Sequence, residues 1–415
     1  HHGRTFVVYV PGEAVAGDRF ATIIHDIALL DSLGIRLVLV HGARQQIDAH
    51  LAEHGIETRF DRHARITTTD ALPFIEDAVG RVRIRIEAQL SMGLPNSPMH
   101  NARLRAVSGN FVTARPVGVR GGYDYQHTGE VRKVETAAIR AALDASFIVL
   151  LSPLGYSPTG EVFNLNSEEV ATAAAIALKA DKLIFLGDED GVRLGRKLLR
   201  DLTPARAATL VDGGKLKSAA VTRQLHTAVL AAGNGVGRVH LISHERDGAL
   251  LQELFTRDGC GTLVTAQTYE QVRTAGIEDV AGILELIRPL EDAGVLVRRS
   301  RERLETEIRH FHLIERDGMV IGCAALYPLA DKTGELACVA VHPDYRGDGR
   351  ATTLLAEIEK RARVLGMKKL FTLTTQTAHF FLERGFEPAK PDALPEPRKS
   401  LYNWQRNSKV FLKEL

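Results

Sequence analysis

Across residues 1–266, short apolar runs alternate with segments whose apolar positions recur at a helical period. The apolar runs fall at Thr5–Val10, Arg36–His41, Phe147–Leu151, Lys182–Leu186 and Arg238–Ile242. Helical periodicity covers Phe20–Leu33, Ala43–His54, Thr69–Leu90, Glu168–Ala180 and Ala219–Ala232. Runs apolar on both faces, joined by helix-length connections, predict crossover units and an α/β fold: a mostly parallel open sheet with helices on both faces. Val107–Val119 ("VSGNFVTARPVGV") breaks the rhythm with alternating residues and a Pro, and predicts a hairpin-like excursion over one edge.

From residue 267 the texture changes. A strand is predicted at Gln271–Ala275, helices at Ile277–Glu291 and Ser300–Glu307, and strands at His312–Glu315, Met319–Leu326 and Gly334–Val341. The stretch "VAVHPDYRGDGRATTLLAEIEKRA" (Val339–Ala362) then runs from a strand through a glycine-bearing turn into a long amphipathic helix. A strand at Leu370–Thr374, a helix at Thr377–Arg384 and a strand near Lys409–Leu412 follow. Antiparallel strands ending in one strand–helix–strand crossover predict a second α/β (α+β) domain over 267–415, long enough to bury its own core.

Composition adds little beyond exclusions. With 45% hydrophobic and 25% charged residues and a net charge of +2, the chain has no molecule-wide field for a polyanion, so no nucleic-acid partner is expected. Cys260, Cys323 and Cys338 are odd in number and widely spaced, which predicts structural thiols in a reducing compartment and no metal site. No apolar run reaches membrane-spanning length, so no membrane association and a cytoplasmic location are expected.

Arg346–Ala351 ("RGDGRA") lies between a strand end and the first turn of a helix. Gly347 and Gly349 permit unusual φ and close backbone approach. The free amides of the first helical turn carry partial positive charge, and Arg346 and Arg350 add formal charge, so the junction suits a diphosphate. A glycine turn with solvated arginines would read the same way.

The pattern Arg-x-x-Gly-x-Ala, after a "V-x-P-x-Y" strand exit, resembles the acetyl-coenzyme A loop of the GNAT N-acetyltransferases. The resemblance implies that Cys338, Val339, Ala340 and Val341 pair with the pantetheine, and that Arg346, Gly347, Asp348, Gly349, Arg350, Ala351 and Thr352 hold the pyrophosphate. Acetyl transfer to an amine needs a base, an oxyanion donor and an acid for the leaving thiolate. Glu335 is a carboxylate in the otherwise apolar "GELACVAV" and is the candidate base, with a solvated strand-start charge as the alternative. Thr374 ends the next strand beyond the crossover helix and is the candidate acid across the cleft; a backbone amide near Val339 is the oxyanion donor. Arg299 with Arg301 ("LVRRSRE"), Arg398 ("LPEPRKS") and Arg406 ("NWQRNSK") supply guanidinium forks for a dicarboxylic amino acid. Each alone could be a surface charge.

Over nearly its whole length the chain resembles the bacterial two-domain N-acetylglutamate synthases. The runs "GIRLVLVHGARQQID", "SGNFVTARPVGV", "DGALLQELFTRDG", "ILELIRPLEDAGVLVRRSRE", "ELACVAVHPDYR" and "LYNWQRNSKV" carry it. The resemblance implies acetyl transfer from acetyl-CoA to the α-amine of L-glutamate at the head of arginine biosynthesis, feedback inhibition by L-arginine, and a hexamer. It assigns Glu335 as base and Thr374 as acid or polariser, and puts Arg299, Arg398 and Arg406 at glutamate-binding positions.

Residues 1–266 resemble the amino-acid kinase fold of acetylglutamate kinase. That kinase's "K-x-G-G" appears as Tyr9-Val10-Pro11-Gly12, its "H-G-G-G-P" as His41-Gly42-Ala43-Arg44-Gln45, and its "N-x-N-A-D" as Asn164-Leu165-Asn166-Ser167-Glu168. The missing Lys and the bulk of Arg44 predict that no phosphorylation occurs here. "LLQELFTRDGCGT" resembles the arginine-binding segment of arginine-sensitive relatives, which implies Glu253 at the guanidinium or amine, Gly259 and Gly261 lining the pocket, and Lys217 at the carboxylate. An exposed helix charge is the alternative for Glu253. Two other functions remain open from residues alone: an amino-acid kinase fused to an acyltransferase of other specificity, and a non-catalytic arginine sensor.

Overall fold

The computed structural model describes residues 2–61, 64–92, 104–256, 259–266, 270–316, 318–347, 349–399 and 408–415. Asp348 and Arg406 lie outside the described residues. The chain divides into two compact units, His1–Gln267 and Thr268–Leu415.

The first unit is built on an eight-stranded sheet. Its centre is the parallel set Arg238–Ser243, Lys182–Gly187, Thr5–Val10, Arg36–His41 and Ile148–Leu151. These strands coincide with the five apolar runs, because a strand covered on both faces has no polar side to show. Their side chains divide between two apolar clusters, one per face: Phe6, Val8 and Leu39 on one, Val7, Val38 and Phe185 on the other. The only antiparallel pairing within this sheet, among the described residues, joins Arg238–Ser243 to Thr262–Val264. Val112–Pro116 leaves the main sheet and pairs antiparallel with Gly129–Val134 in a separate four-stranded sheet. Helix starts follow side-chain chemistry: Asn166 caps Ser167–Leu178 by accepting from the Glu169 amide, and Ser218 caps Ala219–Gly233 through the Val221 amide.

The second unit is a seven-stranded sheet in the order Glu270–Thr274, Phe311–Arg316, Met319–Pro328, Thr333–Val341, Lys369–Thr374, Lys409–Glu414, Glu387–Ala389. One face packs on the helix Arg350–Val364 through Leu336, Leu354, Leu355 and Ile358. The other packs on the helices Val280–Asp292 and Arg301–Glu307 through Ile283, Ile287, Leu304 and Phe311.

Two departures from a regular ladder occur on the strand Thr333–Val341. Its parallel pairing with Lys369–Thr374 ends at Leu336↔Thr372, so beyond that point the two strands part. On its other side the register slips from Ala325↔Ala337 to Cys323↔Ala340, leaving Cys338 and Val339 opposite Ala324 alone. Cys338 sits at φ 53°, a left-handed conformation uncommon outside glycine. This bulge inverts the side-chain alternation: Leu336 belongs to the core under the long helix, whereas Cys338 and Ala340 belong to the opposite one. A β-branched residue at Cys338 should therefore cost stability. Cys338→Val is expected to be about 1–2 kcal/mol less stable than Cys338→Ala by chemical denaturation; equal midpoints and slopes would show that the bulge does not hold this φ.

Candidate active site

Glu335 lies two residues into the strand Thr333–Val341, opposite Phe371 on the parting neighbour and Tyr327 on the hairpin partner. Its side chain is only 12% exposed, and burial pushes its carboxyl above the ordinary range even though the Arg398 guanidinium pulls the other way. Arg398 Nη2 donates to Glu335 Oε1 at 3.0 Å. Arg398 Nε also stands 3.0 Å from Oε2, but off the line of a hydrogen bond, and remains an unsatisfied buried donor. The candidate base and one candidate substrate arginine are thus an ion pair in this state, bridging residues far apart in sequence.

Arg299 sits half-buried between the helices Val280–Asp292 and Arg301–Glu307. Its amide donates to Glu291 Oε1 at 3.0 Å and its Nη1 to the Val297 carbonyl at 3.1 Å. Its buried Nε has no hydrogen-bond partner, and Glu335, Cys338 and Tyr327 all feel its charge. Arg398 therefore pairs directly with Glu335, while Arg299 acts on it through its charge alone, and each keeps a buried Nε without a hydrogen bond. Arg301 does not join them; it pairs with Glu305 one turn along its own helix.

Thr374 ends the strand Lys369–Thr374, three residues beyond Phe371, the register partner of Glu335. Three strand residues span about 10 Å, so the two side chains flank the opening between the parted strands and do not touch. The Thr374 hydroxyl is 2.8 Å from that of Thr377 and accepts from the Thr377 amide at 3.0 Å.

At the other end of the opening, Gly347 and Gly349 adopt φ 91° and 79°, and a Cβ at either would meet nothing within 4 Å. Gly349 caps the helix Arg350–Val364, whose first internal bond runs from the Thr353 amide to the Gly349 carbonyl. The amides of Arg350, Ala351 and Thr352 are therefore the orphan donors of the first turn. Arg346 is exposed and its Nε donates to the Val341 carbonyl at 3.1 Å, tying the loop to the strand.

Arg350 corrects the sequence reading. Its Nε donates to Glu270 at 2.9 Å and its Nη1 to the Tyr345 carbonyl at 2.8 Å, so its charge is spent anchoring the helix to the sheet edge and is not free for an anion. Another cation stands at the helix start: Arg384, stacked 3.9 Å over the Phe380 ring, donates to Thr352 Oγ1 at 2.8 Å. Arg384 was not singled out in the sequence, nor were Tyr327 and Glu307, whose hydroxyl–carboxylate bond of 2.6 Å lies beside Arg299. The hairpin register that sets Tyr327 against Glu335 follows from the turn at Asp331 and Lys332, both at positive φ, a conformation their side chains do not announce.

In the first unit, Glu253 also departs from expectation. Its Oε1 takes His240 Nδ1 at 2.7 Å, and its Oε2 accepts from the Cys260 and Gly261 amides at 2.7 and 2.9 Å. A Cβ at Gly259 would lie 2.4 Å from that carboxylate, and one at Gly261 2.2 Å from the Leu241 carbonyl. Glu253, Gly259 and Gly261 are brought together, but as a closed internal knot whose carboxylate is saturated and faces inward. Lys217 is exposed in the turn before the helix Ala219–Gly233 and does not take part.

At the carboxyl ends of the central strands lies a cavity of about 690 Å³, lined among others by Tyr9, Arg44, Asn164, Glu168 and Asp188. Tyr9 is buried and takes a hydrogen bond from Ser167 at 3.3 Å; burial holds its hydroxyl well above the usual range. Gln46 donates to the Gly12 carbonyl at 2.6 Å and occupies the space a Gly12 side chain would enter. Arg44 stacks 5.0 Å over Phe60.

Comparison with known proteins gives the family of each unit. The Amino acid kinase family profile matches residues 4–243, and the Acetyltransferase (GNAT) family profile matches residues 280–386. An amino-acid acetyltransferase of Ectopseudomonas mendocina (strain ymp) is 56% identical over 423 residues, covering 100% of this chain and 96% of the relative. Crystal structures of N-acetylglutamate synthase from Neisseria gonorrhoeae are 39% identical over 100% of this chain and 96% of theirs. The complex with coenzyme A and L-arginine superposes at a TM-score of 0.79, and that with coenzyme A and N-acetyl-glutamate at 0.61. No described helix is long and apolar enough to cross a membrane. With a kinase-like unit preceding a GNAT unit that carries the parted strands and the glycine-capped helix, the chain belongs to the two-domain amino-acid acetyltransferases of the N-acetylglutamate synthase family.

Proposed function

We propose that the chain transfers the acetyl group of acetyl-CoA to the α-amine of L-glutamate, giving N-acetyl-L-glutamate and coenzyme A as a step of arginine biosynthesis. The observation that carries this reading is the Arg398–Glu335 pair, with the charge of Arg299 also acting on this largely buried carboxylate at the mouth of the parted strands. Open space at Gly347 and Gly349, the orphan amides of Arg350, Ala351 and Thr352, and the cations Arg346 and Arg384 fit a diphosphate there. The unpaired edge of Cys338, Val339, Ala340 and Val341 fits an extended amide chain leading from it towards Glu335.

In this scheme Glu335 takes a proton from the α-ammonium, freeing the nitrogen lone pair to attack the thioester carbon. A backbone amide at the Cys338–Val339 bulge donates to the oxyanion. As the carbonyl re-forms and the carbon–sulfur bond breaks, the nitrogen loses its second proton, which passes through the Thr374 hydroxyl to the departing thiolate, while Glu335 returns the first proton to solvent. Arg299 and Arg398 hold the substrate carboxylates; the γ-carboxylate displaces Arg398 from Glu335, so substrate binding itself releases the base.

L-arginine is proposed as a feedback inhibitor acting through the first unit, a reading supported by the gonococcal complex that contains it. Glu253 positions the 259–261 turn through its bonds to the Cys260 and Gly261 amides, and Lys217 is the candidate carboxylate partner. The first unit is proposed to have lost phosphoryl transfer, because Tyr9 and Gln46 occupy the space and supply no charge for a phosphate.

Coenzyme A release with L-glutamate, against L-glutamine and L-aspartate and with or without L-arginine, tests the whole reading; equal use of glutamine would show that the side-chain carboxylate is not read. Glu335→Gln should lower kcat by about 10²–10⁴ with acetyl-CoA affinity unchanged, and wild-type turnover at saturating glutamate would remove Glu335 as base. Because the base works deprotonated, activity falls as pH drops through its raised pKa. Arg398 holds that pKa down, so Arg398→Met should move the acid limb of the kcat/KM profile to higher pH and raise KM for glutamate. An unmoved limb would uncouple the two residues.

A further inference from the structure

A cluster in the first unit lies apart from the transfer chemistry. His50 and Glu53 occupy the last turn of the helix Arg44–Glu53, and His54 is its C-cap. At spacings of three and four residues the three side chains share one helix face. Their donor atoms all lie within 4.8 Å of one another.

The state of the two rings points to a ligand. The His50 side chain is 9% exposed, and neither of its ring nitrogens has a hydrogen-bond partner. Leaving two buried polar atoms unmet is costly unless something else meets them. His54 Nδ1 is 2.9 Å from the His50 carbonyl, so it serves as donor and leaves the Nε2 lone pair available. Such a second bond to a backbone carbonyl is what orients a metal-ligating imidazole. Both rings are held by packing: their centroids are 4.6 Å apart, and His54 is 4.6 Å from the Phe74 ring. Glu53 Oε2 is 3.5 Å from His50 Nδ1. From the neighbouring helix Leu72–Leu90, Asp77 Oδ2 comes to 3.9 Å from His50 Nε2.

We propose that His50, through the Nδ1 that faces Glu53, binds a divalent transition metal together with Glu53 and His54, while Asp77, on the Nε2 side of the ring, is placed to accept the remaining ring proton. Two imidazoles and one carboxylate match the donor preference of zinc, whereas magnesium and calcium select all-oxygen shells. The metal's role is structural: it fixes the end of Arg44–Glu53 and, with Asp77 of Leu72–Leu90 taking the other ring proton, both buried His50 nitrogens are met.

The test uses the full chain stripped with a chelator and titrated with Zn²⁺ and, for its visible spectrum, Co²⁺. Glu53→Gln and His54→Gln alter exposed side chains and leave the core intact. His1 and His2 are common to all three proteins, so only the difference between them is read. The wild type should bind one metal more tightly than either variant by at least about tenfold, with a tetrahedral Co²⁺ spectrum, and should gain thermal midpoint with Zn²⁺ where the variants do not. Equal affinities in the three proteins, or a Zn²⁺-dependent gain that survives both substitutions, overturns the proposal.

Discussion

The bulge at Cys338–Val339 is the constraint on which the second unit's geometry depends. A regular ladder through Thr333–Val341 would set Leu336, Cys338 and Ala340 on one face; the extra residue sends Cys338 and Ala340 to the other. Two residues earlier, the parallel neighbour has already left at Leu336. Together these interruptions open a cleft in the middle of a sheet without exposing a core, because each face keeps its own helix cover. On the proposed reading, that opening admits the thioester and the bulge turns an amide towards the reacting carbon.

The charges around the opening serve two different ends. Arg350 and Glu270 rivet the start of the long helix to the sheet edge, a partly buried pair whose rupture would leave a charge unpaired. Arg398 and Glu335 also pair, with Arg398 Nε off the line of a hydrogen bond; on the proposed reading this pair opens to an incoming carboxylate. On the proposed reading, the first unit keeps the amino-acid kinase architecture while its chemistry is lost. Tyr9, Gln46 and Arg44 fill or stack where open backbone would be needed, yet the parallel sheet beneath them is undisturbed.

Much of this was legible in the sequence, for local reasons. Doubly covered strands announce themselves as unbroken apolar runs, and the runs at Thr5–Val10, Arg36–His41 and Lys182–Leu186 lie within observed strands. Glu335 stood out as a carboxylate in the otherwise apolar "GELACVAV", although a solvated strand-start charge reads the same way, and the glycine-bearing turn stood out because Gly347 and Gly349 precede a helix. What escaped was long-range partnership. Arg350 meets Glu270 across 80 residues, Arg398 meets Glu335 across 63, and Arg384 meets Thr352 across 32; nothing in the spacing distinguishes a riveted arginine from a free one. Glu253 carried the same ambiguity, since an acidic helix residue and a carboxylate buried on two amides read alike until the 259–261 turn folds back on it.

Backbone amide exchange with and without coenzyme A tests most directly whether the carrier lies along the interrupted strand and its following helix. Slowed exchange at Val339–Val341 and at Arg350–Thr352, with Tyr9–Gly12 and Gly42–Gln46 unaffected, is the predicted result. Protection confined to those N-terminal segments around the 690 Å³ cavity, or protection nowhere, would contradict it.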